Sequence, residues 1–193
     1  MDTISQVNRR QFLQFTGLAS GGIMLGASLN AAGQVNKLID VPPGTPANAL
    51  AFNLFVQISP DGQVYIVVHR SEMGQGIRTG LPQVVADELE ADWQRITVVQ
   101  GLANNKYGSQ NTDGSNSIRD FYSKMREMGA AARTMLEQAA AKQWQVPVQE
   151  CFASEHQIIH QPTGKKLGFG DVAIAAALLP VPKSAELTLK SSK

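Results

Sequence analysis

The sequence predicts an α+β fold in which a β-hairpin and short strands pack with two main helices. Three observations carry that prediction. Apolar residues alternate at Phe52, Leu54, Val56 and Ile58 and again at Val64, Ile66 and Val68, with the turn-forming "SPDGQ" between the two runs. A period of two interrupted by a turn is the signature of a hairpin. The period then becomes helical in "LPQVVADELEADW", at Leu81, Val84, Val85 and Leu89, and again over 118–144. The stripe there runs Ile118, Tyr122, Met125, Met128, Ala132, Met135, Leu136 and Ala139. A chain of 193 residues, 43% hydrophobic and 17% charged, has material for one ordinary core.

The N-terminus reads as an address. Arg9 and Arg10 are followed by a stretch, Gln11 to Asn36, without a single charged residue. That stretch is only weakly apolar. Paired arginines before such a stretch resemble a twin-arginine export signal, here 1–33. A membrane anchor is the alternative, opposed by the glycines and by Ser20, Ser28 and Asn30. Cleaved and retained forms both stay open. Twin-arginine export carries folded proteins, which suits a chain that takes up a cofactor before transport, and it places the chain in the periplasm or on the periplasmic face of the inner membrane.

Composition excludes several functions. Removing 1–32 takes away Arg9, Arg10 and Asp2 and leaves basic and acidic side chains equal in number. A neutral chain has no electrostatic footprint for nucleic acid. Cys151 is the only cysteine, so the chain has neither an internal disulfide nor the thiolates of an iron–sulfur cluster. Three scattered histidines, His69, His156 and His160, argue against a zinc site.

The remaining elements follow in order. Residues 34–50 contain "VPPGTPANA" and read as a linker. Pro82 is tolerable in the first long helix near its first turn or at a kink. Glu88, Glu90 and Asp92 read as that helix's solvated face. "RITVVQG" reads as a short buried strand, and 101–116 as a long polar loop, which in a compact domain is usually functional or mobile. In the second helix Gly129 to Ala132 form a very small face that admits another backbone. A small β element around "HQIIH", a turn at "QPTGKK" and a helix near 171–178, capped by Gly170 or Asp171, complete the domain. Residues 181–193 read as a polar tail that trails out.

Two stretches carry candidate chemistry. "SEMGQGIRTG" stands at the junction of strand and helix. Such a turn exposes backbone N–H groups with no intrahelical partner, which suit an anion. Glycine admits close approach, and the Gln75 amide can donate and accept at once. The dinucleotide fingerprint does not fit, because the third glycine is missing. In "NTDGSNSIRD" three hydroxyls, Thr112, Ser115 and Ser117, precede a helix start, with Gly114 between them. Plain turn chemistry and simple capping are the alternatives for each stretch taken alone.

Together, "HRSEMGQGIRTGLPQVVADELEADW" and "YGSQNTDGSNSIRDFYSKMREMGAAARTMLEQAAAKQW" resemble the N-terminal part of the molybdopterin-binding large (beta) subunit of the isoquinoline 1-oxidoreductase and membrane-associated aldehyde dehydrogenase type. That type belongs to the xanthine dehydrogenase family of molybdenum hydroxylases. The resemblance implies that 51–180 is a partial molybdopterin-binding domain. It implies that Gln75 hydrogen-bonds a molybdopterin dinucleotide, commonly the cytosine form, and that Gly76, Thr112, Ser115 and Ser117 line the pterin and phosphate site. Asp113 departs from the small residue usual in the family. The implied reaction is aldehyde oxidation or hydroxylation of an N-heteroaromatic with water as the oxygen source. Electrons would leave through a small subunit with [2Fe–2S] clusters or through cytochromes.

Family subunits are several times longer, and their catalytic glutamate lies in later segments. A glutamate base is needed there, and no glutamate in this sequence matches its motif. Glu72 reads as part of the turn. The expectation is therefore a split subunit, a truncated product or a fragment, inactive without the remaining lobes. Exposed apolar strips on the long helix would accompany it. A non-catalytic exported binding domain of the same descent is the alternative function.

Overall fold

The computed structural model describes residues 42–191. The twin-arginine segment and the first part of the linker, 34–41, lie outside them. The first sheet contains β1 (Leu50–Ala51), β2 (Val56–Ile58), β3 (Val64–Val68) and β4 (Ile96–Gln100), in that spatial order. β2 and β3 form the expected antiparallel hairpin, with Val56 opposite Ile66 and Ile58 opposite Val64. β3 and β4 run parallel, Val64 opposite Ile96 through Val68 opposite Gln100. Parallel neighbours need a crossover, and helix α1 (Ile77–Leu89) provides it. The turn that carries "SEMGQG" therefore lies between the end of β3 and the start of the crossover helix.

Helix α2 (Asn116–Arg119) is a single turn, and α3 (Tyr122–Trp144) is the long helix. A second, antiparallel sheet of β5 (Cys151–Ser154), β6 (Gln157–His160) and β7 (Lys166–Gly168) leads into α4 (Phe169–Ala177). "HQIIH" is thus its central strand. The α+β class holds. The core joins both sheets and the helices through Phe55, Ile66, Leu81, Val85, Met135, Leu136, Ile158, Phe169 and their neighbours, all buried.

Several elements differ from expectation for reasons visible in the side chains. The run 52–58 does not continue as one strand, because Asn53 Oδ1 accepts the N–H groups of Phe55 (2.9 Å) and Val56 (3.0 Å). Its Nδ2 donates to the Met128 carbonyl at 2.9 Å. An asparagine that satisfies nearby backbone reverses the chain, and β1 folds back on β2. β3 is buried at Val64, Ile66, Val67 and Val68 alike, as a central strand covered on both faces should be. β4 is an edge strand rather than a buried one, with only Val99 buried and Thr97 and Gln100 exposed.

Helix α1 starts four residues before Leu81, which places Pro82 in its second turn. The predicted long helix is interrupted at Asp120 and Phe121, since Phe121 turns into the core instead of continuing a helical face. Consequently Ile118 and Tyr122 are exposed rather than part of the buried stripe, which begins at Met125. The small face acts as expected. A Cβ on Gly129 would lie 2.5 Å from the Val85 carbonyl oxygen and 2.8 Å from Glu88 Cβ, so α1 and α3 approach backbone to backbone.

Glu88 is not on a solvated face. It is buried, its carboxylate engages Arg126 and Arg133 of α3 and accepts the Lys190 N–H at 3.1 Å, and its backbone carbonyl accepts from Arg133 at 2.6 Å. Residues 184–190 follow this acidic edge, with Lys190 Nζ 2.7 Å from Glu90 and 3.0 Å from Asp87. The last described stretch is therefore strapped across α1 and α3 and does not trail out. Helix α4 is capped at Gly168, two residues earlier than expected, because Asp171 Oδ2 reaches back to the Gly168 N–H at 2.8 Å. Exposed apolar side chains gather on and after α4, at Ile174, Leu178 and Val181, while on the predicted long helix they are confined to its start, at Ile118 and Tyr122.

Candidate functional site

β3 delivers His69 and Arg70 to the interior and then releases the chain into the turn at Ser71. That turn is organised by one carboxylate. Glu72 Oε1 accepts the N–H groups of Gly74 (2.6 Å) and Gly76 (3.1 Å), and Oε2 accepts that of Arg78 (3.0 Å). Gly74 and Gly76 hold φ of +92° and +82°, a region open to glycine and costly for a residue with a Cβ. Gly76 is the N-cap of α1 and offers no capping side chain. The amides of Gly74, Gly76 and Arg78 at this strand–helix turn, where an external anion was expected, are thus filled by Glu72. Those backbone hydrogen bonds hold its carboxyl below the usual glutamate range.

Gln75 folds back on the same turn. Its Oε1 accepts the Met73 N–H at 2.6 Å, and its Nε2 donates to the Ser71 carbonyl at 2.8 Å. The side chain is exposed and held in one orientation. The hydroxyl stretch approaches from the other side. Thr112 Oγ1 accepts the Ser71 N–H at 3.0 Å, a direct link between the two motifs. Gly114 and Ser115 are both left-handed, at φ +50° and +61°, and the Asp113 carbonyl accepts the Asn116 N–H. This double turn starts α2 and buries Ser117.

The two stretches enclose a cavity of about 430 Å3, lined by Met73, Gln75 and Ile77 on one wall and by 112–115, Ser117 and Ile118 on the other. The volume is in the range of small-molecule pockets, about 300–1,000 Å3. Of the predicted site residues, Gln75, Thr112, Ser115 and Ser117 share this cavity, as does Asp113. Gly76 stands apart from them, with its N–H on Glu72. Met73, Ile77 and Ile118 were not foreseen as lining. They make the space an apolar slot edged by hydroxyls, a form suited to a flat ring system with polar edges. No cluster of metal-ligating side chains occurs among the described residues.

Beneath the turn lies an unexpected buried group. Arg70 is fully buried, its guanidinium 4.6 Å from the Phe121 ring centroid, and none of its three nitrogens has a hydrogen-bond partner among the described residues. Desolvation lowers its pKa, against the pull of Asp120 and Asp113. His69 packs among Phe55, Tyr107 and Phe121, with ring centroids 4.3–6.3 Å away. Burial first, then Arg70 and Lys124, lower its pKa to about 4, so it is neutral at pH 7. No pattern in the sequence pointed to either burial, because Tyr107 comes from the loop that reads as polar and Phe121 from the stretch that reads as an unbroken long helix. Cys151 is buried far along the chain, and burial pushes its thiol up, which makes it unreactive.

Comparison with known proteins agrees with this geometry. The family described as "Molybdopterin cofactor-binding domain" matches residues 21–192. The beta subunit of isoquinoline 1-oxidoreductase from Brevundimonas diminuta is 33% identical over 187 residues, 93% of this chain and 23% of that protein. The membrane-bound aldehyde dehydrogenase [pyrroloquinoline-quinone] of Gluconacetobacter polyoxogenes is 32% identical over 168 residues, 87% of this chain and 21% of that one. The chain therefore spans less than a quarter of the length of these curated relatives. Quinoline 2-oxidoreductase from Pseudomonas putida 86 shares the fold with a TM-score of 0.52 at 22% identity, over 68% of this chain and 17% of that one. A cavity built from the GQG turn and the hydroxyl turn, in a chain matched by this family from residue 21 to residue 192, leads to one assignment: the protein belongs to the molybdopterin cofactor-binding domain family.

Proposed function

We propose that this chain forms one wall of the site for a molybdopterin cofactor in a molybdenum hydroxylase, with Gln75, Thr112, Ser115 and Ser117 as the residues that meet it. The observation that carries this reading is the convergence of both motifs on a single cavity. The residues fit a pterin. Met73, Ile77 and Ile118 give apolar contact for its ring faces, while the hydroxyls and the Gln75 amide supply donors and acceptors at its edge. Gly76 contributes through its left-handed φ, which aims the turn, and not through its N–H. When bound, the cofactor would supply oxidation of an aldehyde, or hydroxylation of an N-heteroaromatic, with oxygen from water. The dinucleotide is of the cytosine type in this proposal.

This chain binds and orients, and the proton transfer of that reaction belongs to other segments. The cavity lining contains no glutamate, and its one carboxylate is Asp113. Glu72 is engaged by three backbone donors and is poorly placed to act as a base. The domain therefore works with the remaining lobes of a large subunit, which the length of the relatives makes room for. An iron–sulfur small subunit, or a cytochrome, takes the electrons. Twin-arginine export to the periplasm completes the proposal.

The internal closure of Gln75 favours a second reading, a non-catalytic exported binding domain that retained the fold. Gln75→Ala in the complex reconstituted with the downstream lobes separates the two. The first reading expects cofactor affinity to fall on the order of tenfold, the worth of about one hydrogen bond. Unchanged cofactor content would favour the second.

A further inference from the structure

We infer that Glu72 is the positioning residue of this site, acting as the resident anion of the strand–helix turn and presenting Gln75 to the cavity. Three features lead there. Helix α1 has no capping side chain at Gly76 and no acidic residue in its first turn, so its free N–H groups need an acceptor from elsewhere. Glu72 supplies it from four residues before the cap, and both of its oxygens are used. The span it closes, 72–78, contains Gln75 and both left-handed glycines; the Gln75 side chain ties only 71–75, so Glu72 is the side chain that joins this turn to the start of α1. A Cβ at either glycine would meet no atom within 4 Å, so these glycines serve conformation rather than packing.

A consequence concerns where a ligand's charge can go, and this part rests on the proposed cofactor reading. An external phosphate competing for these amides faces a carboxylate tethered a few bonds away, at an effective concentration of about millimolar or higher. The amides of Gly74, Gly76 and Arg78 are thereby denied to the cofactor's phosphates. Gln75 and the hydroxyls of 112–117 remain as the polar contacts. The GQG turn then recognises the neutral pterin edge and not the anionic part.

The test uses the full chain without any cofactor, so its outcome is independent of whether molybdopterin binds. Amide exchange and chemical shifts of Gly74, Gly76 and Arg78 are followed by NMR in wild type and Glu72→Ala, with sodium formate, inorganic phosphate or sodium chloride at matched ionic strength. The inference expects exchange of these amides to quicken about tenfold in Glu72→Ala. It expects formate to restore protection where chloride does not, and phosphate to leave the three wild-type amides unshifted. Unchanged exchange in the variant would overturn it, as would formate acting no better than chloride or phosphate shifting the wild-type amides. Should Glu72→Ala fail to fold, Glu72→Gln keeps the length with one acceptor oxygen. Lost protection at one or more of the three amides supports the inference, and equal protection at all three contradicts it.

Discussion

His69 and Arg70, just after β3, carry ionisable side chains that have no hydrogen-bond partner among the described residues. For His69 this has a measurable consequence. Its folded pKa of about 4 lies below the ordinary 6.5, so between those values the unfolded chain binds the extra proton. Its contribution to stability is complete above pH 6.5 and falls as pH drops toward 4, by on the order of 2–3 kcal/mol in all. His156, also lowered by burial, adds in the same direction. Denaturant midpoints taken from pH 7 to pH 4 should fall more steeply in wild type than in His69→Phe, whose ring suits the same aromatic neighbours. Parallel curves would contradict the assignment. At this scale the sequence was partly legible. Gln75, Thr112, Ser115 and Ser117 can be named from residue type and spacing, and they do share a cavity. That Glu72 fills the turn's donors could not be read, because the closure depends on the dihedrals of Gly74 and Gly76.

Among elements, the contact between α1 and α3 governs how the two walls of the cavity are held. Helix α1 follows directly from one wall and α3 follows the other by way of α2, so their spacing constrains the spacing of the motifs. Gly129→Ala places a methyl against the Val85 carbonyl and Glu88 Cβ, both backbone-proximal atoms with little freedom to yield. The expected cost is about 1–3 kcal/mol, from overpacking of a tight interface, read as a lowered midpoint of chemical denaturation. A neutral effect would show that the helices can part without loss. The helical periods, the hairpin and the small face on α3 were legible because each is a local pattern. Glu88 was not, since its burial is decided by Arg126 and Arg133, 38 and 45 positions away. The break at Phe121 escaped for a similar reason, as the ring is drawn inward by Arg70 and His69.

At the level of the whole molecule, the described residues combine a closed core with the cavity between the two motifs and an apolar edge at Ile174, Leu178 and Val181. No helix among the described residues is long and apolar enough to cross a membrane. Its curated relatives are more than four times as long. In the proposed function a cofactor would meet Gln75 and three hydroxyls on one wall only, and the proposal assigns its remaining contacts to further lobes. The most direct test is molybdenum and cytosine-nucleotide analysis of the full chain purified alone and together with the downstream polypeptide. The account predicts about one molybdenum per complex and none on the lone chain. Stoichiometric molybdenum on the lone chain, or none in either preparation, would contradict it.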